Sequence, residues 1–452
     1  MKECYISFMI RLDDYINKTI DCACGRKHVI ATRETLIGHG IIPALPGFLK
    51  KHCPGRKLSL VYDENTFRAA GKVIKETLDS SFVINEILLK TEKGNVKPDE
   101  QTLKHLLSRV DSKTGFLLAV GSGTINDLVK FSADRKKIPY AVFATACSMN
   151  GYTSAIAVIT RHGLKLTMPA RPPVAIAGDI DVLSKAPAEM TRAGLADFSA
   201  RPLANTDWKI ASIIRGGYFC DLPYGILREA ETECFSSAEA IGRQELEAVD
   251  LLFRTLLVSG ISMVIAGSSA PASGGEHLIS HYWDTMREIG YPVKYNLHGI
   301  QVGVASVEVS KIYQKIAKLP PEKIRTSGLE RKYPAFAEIK KELKKHFGPA
   351  GTEIIKKYRS KYLPWDEKKA ELEKIKSAFP EIREIIRKMA SPPEKIMNVL
   401  QKAGAPADIA GLGISRLLLK QALIHGKELR DRYSVLDLAD DLNLLKEPIP
   451  LT

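Results

Sequence analysis

Aromatic residues make up only 7% of this 452-residue chain, and no run of them is interleaved with basic side chains. A stacking platform for nucleic acid is therefore missing. The net charge of +14 and pI near 9.2 favour anionic partners in general, but much of the basic excess lies between Lys311 and Lys402, mixed with Glu338, Glu342, Glu371 and Glu373 at helical spacing. That pattern describes solvated helix faces, so nucleic acid is disfavoured as a partner. Long apolar runs are also absent. The most apolar stretch, Leu256 to Gly267, is about a dozen residues long and contains two serines, which reads as a buried core helix and predicts no membrane insertion. Residues 1–20 have no apolar core, so no signal peptide is expected. Cysteine is sparse and odd in number: Cys4, Cys22, Cys24, Cys53, Cys147, Cys220 and Cys234 are scattered, which argues against a disulfide framework and for a reducing compartment, the cytoplasm.

What remains, at 45% hydrophobic and 26% charged, is a globular chain long enough for two domains. In its first half, apolar runs at 58–62, 83–89, 116–120 and 140–145 alternate with helical segments such as 67–78 and 100–110. This is the rhythm of a parallel, doubly wound α/β sheet, which binds ligands at the carboxyl ends of its strands. Runs at 154–159 and 173–177 read as its last strands. Beyond about Pro187 strand signals fade, and Pro and Gly breaks divide amphipathic helices. The expected division is an α/β nucleotide-binding domain over 1–185 and an all-α domain over 186–452.

Five local features carry possible chemistry. The run Phe116 to Val120 ends in Gly121-Ser122-Gly123 and turns at once into a helical pattern, as a strand–turn–helix that could cradle a pyrophosphate at the helix N-terminus does. Asn126 stands where the third glycine of G-x-G-x-x-G would be, so an ordinary βα turn explains the motif equally well. Cys22, Cys24 and His28 are zinc-type ligands. No fourth ligand is evident near them, and C-x-C is tighter than the usual C-x₂-C, so a structural turn is the simpler expectation. His277 and His281 are four residues apart on one helix face and could share a metal. His298 precedes Gly299, and Asp197 is a lone carboxylate in an apolar stretch that would serve equally as a helix cap.

The runs Gly121-Ser-Gly-Thr-Ile-Asn-Asp127, Asp179-Ile-Asp-Val-Leu, Gly267 to His281, and Leu297-His298-Gly-Ile-Gln-Val-Gly303, with Gly404-Ala-Pro406, Gly413-Ile-Ser415 and Arg430 to Leu436 in the tail, resemble the sn-glycerol-1-phosphate dehydrogenase family. That family lies within the iron-containing alcohol dehydrogenase and dehydroquinate synthase superfamily. The resemblance spans Lys57 to Leu445. It implies a dehydroquinate synthase-like fold, with a cleft between the two domains that holds cofactor, metal and substrate. It also implies reversible hydride transfer between NAD or NADP and the C2 carbon of dihydroxyacetone phosphate or glycerol 1-phosphate.

By the same resemblance the ligands of one divalent metal (zinc, nickel or iron) fall on Asp197, His277 and His298, and His281 becomes a residue on the substrate side. The cofactor would meet Asp63, Asn65, Thr66, Gly121, Ser122, Gly123, Thr124, Asp127, Thr145 and Ser148. A carboxylate at Asp63 would hydrogen-bond a ribose 2′-hydroxyl, which leans toward NAD. Three departures from the family pattern mark the substrate end, the first being Ala144-Thr145 where the family has Pro-Thr. Asn150 replaces an expected aspartate and cannot relay a proton. Arg201 replaces a lysine one helical turn after Asp197, where its fork could hold a substrate phosphate. A dehydrogenase for another polyol phosphate, a dehydroquinate-synthase-like cyclase and a catalytically silent homologue are the alternative readings, and a homo-oligomer is compatible with all of them.

Overall fold

The apolar alternation of the first half folds as a parallel sheet, with strands β3 (Glu34–Gly38), β4 (Lys57–Asp63), β5 (Val83–Leu89), β6 (Phe116–Gly121), β7 (Tyr140–Ala144) and β10 (Ala175–Asp179) in the spatial order β3-β10-β7-β6-β4-β5. The computed structural model describes residues 10–90, 96–161, 163–324, 326 and 333–445. Cys4 lies outside them. Every residue of β6 and β7 is buried, as expected of strands covered on both faces. Period-two alternation divides their side chains: Phe116, Leu118 and Val120 join one apolar cluster with Leu58, Leu60 and Phe143. Leu117, Ala119 and Val142 point the other way, into a cluster that also contains Leu252, Phe253, Leu256 and Leu257.

Those last residues belong to a helix, Leu246–Ala266, of 21 residues. It is longer than its most apolar stretch suggested, and by length and composition it could cross a bilayer. Instead it is a core helix, most of whose side chains are buried. After Asp179 every described element is helical. A further apolar cluster forms there around Leu278, Tyr282, Trp283, Val304, Ile312 and Phe379.

Three expectations need correction. The run at 154–159 is not a strand of the parallel sheet. It becomes β8 (Ile156–Arg161), which pairs antiparallel with an unforeseen β9 (Leu164–Pro169) as a separate hairpin. Edge strand β3 was also missed, because its residues are only half-buried and lack a continuous apolar signature. A short hairpin, β1 (Thr19–Asp21) and β2 (Lys27–Val29), precedes the sheet; its mostly exposed residues gave no strand signal.

Topology positions the site. From β4 the chain moves outward to β5, then crosses back so that β6 lies on the other side of β4. The strand order therefore reverses between β4 and β6, opening a crevice at their carboxyl ends where Asp63 and Gly121 stand.

Candidate active site

A cleft of about 1430 Å³ starts at this crevice. Its wall there includes Asp63, Asn65, Thr66, Ser122, Gly123 and Thr124, and Asp127, Thr145, Ser148 and Asn150 continue it. Ser122 is the N-cap of the helix Gly123–Lys136 and makes no side-chain cap bond, so the first-turn N–H groups stay available to an anion. Neither Gly121 nor Gly123 uses a positive φ. Gly121 is not part of the cleft wall. A Cβ there would meet Ile125 at 2.6 Å, so its role is packing of the turn. Asp63 caps the following turn: Oδ1 accepts from the Thr66 N–H at 2.8 Å, and Thr66 Oγ1 accepts from the Asp63 N–H at 3.0 Å. The capping role and a place in the cleft coexist, since the second carboxylate oxygen is not used by the cap.

Deeper in, buried groups hold the loop after β7. The ammonium of Lys130 donates to the carbonyls of Gly151 at 2.6 Å and Ile156 at 2.9 Å, and burial presses its pKa down to about 8. Asp127 accepts the Val158 N–H at 3.0 Å. Replacing Gly123 with valine places a branched side chain over the helix N-terminus, where even a Cβ would lie 3.1 Å from Met149 Cγ. Dinucleotide affinity measured by cofactor fluorescence is expected to fall at least tenfold; an unchanged affinity would make the turn purely structural.

Three elements bring the metal-type ligands together. Asp197 ends the helix Ala188–Phe198, His277 sits in the first turn of Gly275–Glu288, and His298 opens His298–Lys318. Their ligand atoms all lie within 4.8 Å of one another. Gly299 makes the approach possible, because a Cβ there would be 2.0 Å from the Ala193 carbonyl oxygen and 3.1 Å from Asp197 Cβ. A second carboxylate, Asp207, fixes the His277 helix. It accepts from the Gly275 N–H at 2.7 Å, the Val435 N–H at 2.6 Å and the Tyr313 hydroxyl, and burial together with nearby Glu276 pushes its pKa up to about 8.

Hydrogen bonds assign the imidazole tautomers. His277 Nδ1 lies 3.0 Å from Glu276 Oε1, a carboxylate that only accepts, so Nδ1 carries the proton and Nε2 faces Asp197 Oδ1 at 3.3 Å. Ser280 donates to Gln301 Oε1 at 2.8 Å and so accepts from His298 Nδ1 at 3.1 Å, which frees Nε2 of His298. Asp197 is 3% exposed, its Oδ2 accepts the Asn150 N–H at 3.3 Å, and its Oδ1 has no hydrogen-bond donor. An orphaned buried carboxylate oxygen beside two bare imidazole nitrogens is a donor set for a divalent cation. Burial opposes charge on His277, but Asp197 and Glu276 raise its pKa above the ordinary value, so the spot favours positive charge. His281, Asp284 and His298 also converge within 4.8 Å. There Lys165 at 2.6 Å and Arg287 at 2.9 Å already neutralise Asp284, which favours the Asp197 set for the metal.

Arg201 does not face this cleft. Its guanidinium is 1% exposed, paired with Glu231 at 2.5 Å and with the Tyr224 carbonyl, and it is absent from the cleft wall. The expectation that it holds a substrate phosphate therefore fails on placement: its anion is internal. Arg201→Ala strands Glu231 and is expected to cost about 3–5 kcal/mol of stability in denaturant unfolding. Any change in KM should be equal for phosphorylated and unphosphorylated substrates.

A cation that does line the cleft is Arg430. Its guanidinium donates to Ser269 at 3.2 Å, Ser273 at 3.1 Å, Thr167 at 3.3 Å and His281 Nε2 at 3.2 Å, all neutral partners. Burial and neighbouring Arg432 press its pKa down to about 9, as befits a cation without a directly bonded anion. Lys165, on β9, also lines the cleft, where it is paired with Asp284. Arg430 stood in the tail motif, but nothing local marked it as part of a site. His281, receiving the Arg430 N–H on Nε2, is held well below its ordinary pKa by burial and by Arg430, and its Nδ1 has no protein partner.

Residues 36–187 match the family model described as iron-containing alcohol dehydrogenase. Among solved structures, a probable glycerol dehydrogenase from Sinorhizobium meliloti aligns with TM-score 0.59 at 16% identity, covering 91% of this chain and 96% of that one. The glycerol dehydrogenase of Schizosaccharomyces pombe gives 0.57 at 16%, covering 91% and 88%. The chain thus shares the fold of these dehydrogenases, a parallel sheet joined to a helical part, and residues 36–187 resemble the iron-containing alcohol dehydrogenases. Relatives named glycerol-1-phosphate dehydrogenase (NAD(P)+) are 29% identical in Bacillus licheniformis, over 96% of both chains. In Halalkalibacterium halodurans one is 32% identical, over 68% of this chain and 77% of the relative. The chain belongs to the glycerol-1-phosphate dehydrogenase family.

Proposed function

We propose that the protein is a metal-dependent NAD(P) oxidoreductase that interconverts dihydroxyacetone phosphate and sn-glycerol 1-phosphate. The observation that carries this reading is the continuity of one cleft, from the βα-turn at Ser122–Thr124, through Asp197, His277 and His298, to Arg430 and Lys165. Nucleotide, reacting carbon and phosphate each have a matching chemistry along it. A divalent ion held by the carboxylate and two neutral imidazoles would supply Lewis-acid polarisation of the C2 oxygen; zinc suits that donor set, with nickel and ferrous iron as competitors.

The chain's own groups do the rest. Asp197 and the two Nε2 atoms would hold the ion, the two imidazoles being oriented by Glu276 and Ser280 behind them. Arg430 would bind the phosphate and set which end of the substrate enters, with Lys165, held by Asp284, adding positive charge to the same cleft. Asp63 favours NAD over NADP. The six described cysteines are all unpaired, which fits the cytoplasm, and we place the division between the two domains near residue 185.

Oxidation of both glycerol phosphate enantiomers with each nicotinamide tests the reading. Turnover of the sn-1 isomer well above the sn-3 isomer is expected, whereas no turnover of either would indicate a silent homologue. Asn150 lines the cleft beside Asp197. If its missing carboxyl limits proton relay, Asn150→Asp raises kcat on sn-glycerol 1-phosphate, by roughly 10²-fold or more. A fall in kcat would instead show a site tuned to another polyol phosphate.

A further inference from the structure

A second set of ligand-type side chains lies away from this cleft. Cys22 and Cys24 occupy the turn of the β1–β2 hairpin, His28 lies on β2, and Cys220 comes from the connection between the helices Arg201–Arg215 and Leu222–Gly225. The ligand atoms of all four lie within 4.8 Å of one another. Cys22 Sγ is 3.6 Å from Cys220 Sγ, Cys24 Sγ is 3.4 Å from His28 Nε2, and Cys220 Sγ is 3.9 Å from the same nitrogen. A tetrahedral zinc ion with ordinary Zn–S and Zn–N bonds places its sulfurs about 3.8 Å apart, and sulfur and nitrogen about 3.6 Å apart. The three separations of 3.6, 3.4 and 3.9 Å are close to the edges of such a tetrahedron, and the remaining pairs lie within 4.8 Å. A disulfide would instead need sulfurs about 2.05 Å apart.

We propose that Cys22, Cys24, His28 and Cys220 form a structural zinc site that fastens the N-terminal hairpin to the helical part of the chain. The surrounding groups fit a metal thiolate. The Tyr218 hydroxyl lies 3.3 Å from Cys24 Sγ and can donate to it, and the guanidinium of Arg26 sits 3.5 Å over the Tyr218 ring, adding positive charge beside three thiolates. The backbone of the ligand turn is set by the Gly25 N–H donating to the Cys22 carbonyl at 2.9 Å, with Gly25 at φ +83°. Tyr218 is held in turn by Trp208, whose ring nitrogen donates to its carbonyl at 2.7 Å.

The hairpin has little else to hold it. Its strands are three residues each, and of their residues only His28 is fully buried. A two-stranded hairpin is marginal by itself in water, and the adjacent apolar contact is the small cluster of Ile16, Ile30, Ile261 and Ile265. Closing a loop between residues 198 apart with a metal removes much of the hairpin's freedom to detach. Three thiolates and an imidazole with no open position select zinc over the oxygen-seeking cations.

The test uses full-length wild-type protein purified under reducing conditions without chelator. Titration with an organomercurial should release one zinc per chain, since only a thiolate-bound ion is displaced in this way and the Asp197 set has no sulfur. Cobalt(II) incorporated in place of that zinc should give a sulfur-to-cobalt charge-transfer band. The same release should persist in His298→Ala and vanish in Cys220→Ser. Wild-type protein whose thiols all titrate freely with no metal released, or which carries a Cys22–Cys220 disulfide after zinc is supplied, would overturn the proposal. Both readouts come from the wild type, so a poorly folding variant leaves the test intact.

Discussion

Alanine at His298 is expected to abolish most of the activity and to remove the metal held by Asp197 and His277. In the proposed metal site the imidazole supplies one of three protein ligands; its Nδ1–H is held by Ser280 at 3.1 Å, and it opens a helix whose next residue packs against the Ala193 carbonyl. Only two protein ligands would remain after its loss, too few to keep the ion bound and in position. Lewis-acid stabilisation of the developing alkoxide amounts to several kcal/mol, so kcat/KM should fall on the order of 10³-fold or more. Stability should change much less, because His298 is only partly buried and stands at a helix start. Elemental analysis and a denaturant curve on one preparation separate these effects. Full metal content in the variant would exclude the assignment. Loss confined to His281→Ala would shift the ion to the His277–His281 helical pair.

Removing the Arg430 guanidinium should raise KM for the phosphorylated substrate while leaving unphosphorylated glycerol and dihydroxyacetone nearly unchanged. Its bonds go to three hydroxyls and one imidazole, so a dianionic phosphate is the one strong partner missing from its surroundings. A hydrogen bond to a charged group contributes about 1.5–3 kcal/mol, which corresponds to a KM increase of roughly 10- to 150-fold in Arg430→Ala. Arg430→Lys should recover part of the loss, since the charge returns without the planar fork. Steady-state kinetics on the two substrate types decides the matter; equal losses on both would leave Arg430 as a support for Ser269, Ser273 and His281. Arg201→Ala makes a natural control, because its guanidinium is committed to Glu231.

These two arginines show where local reading stops. Counting one helical turn from Asp197 placed Arg201 on the same helix face, but the first helix ends at Phe198 and a new one begins at Arg201. The break turns the side chain toward Glu231 and away from the cleft. Arg430 gave no comparable signal, since it reaches His281 from far along the chain. The C-x-C turn behaves likewise: three ligand-type residues were visible within seven positions of sequence, and the fourth arrived from Cys220.

The sequence by itself determined the parallel rhythm of β4, β5, β6, β7 and β10, the helical character of most of the rest and the glycine turn at 121–123, while its short motifs, through a family resemblance, pointed to Asp197, His277 and His298. Those features follow from periodicity, turn chemistry and short motifs, all of which act over a few neighbouring residues. The tertiary structure alone decided which carboxylate oxygen is orphaned, which imidazole nitrogens are bare, which cation faces the cleft and which cysteine meets the N-terminal hairpin. Each of these depends on contacts between segments distant in sequence, set by how helices and sheet pack to bury their apolar faces, and no local pattern encodes that packing.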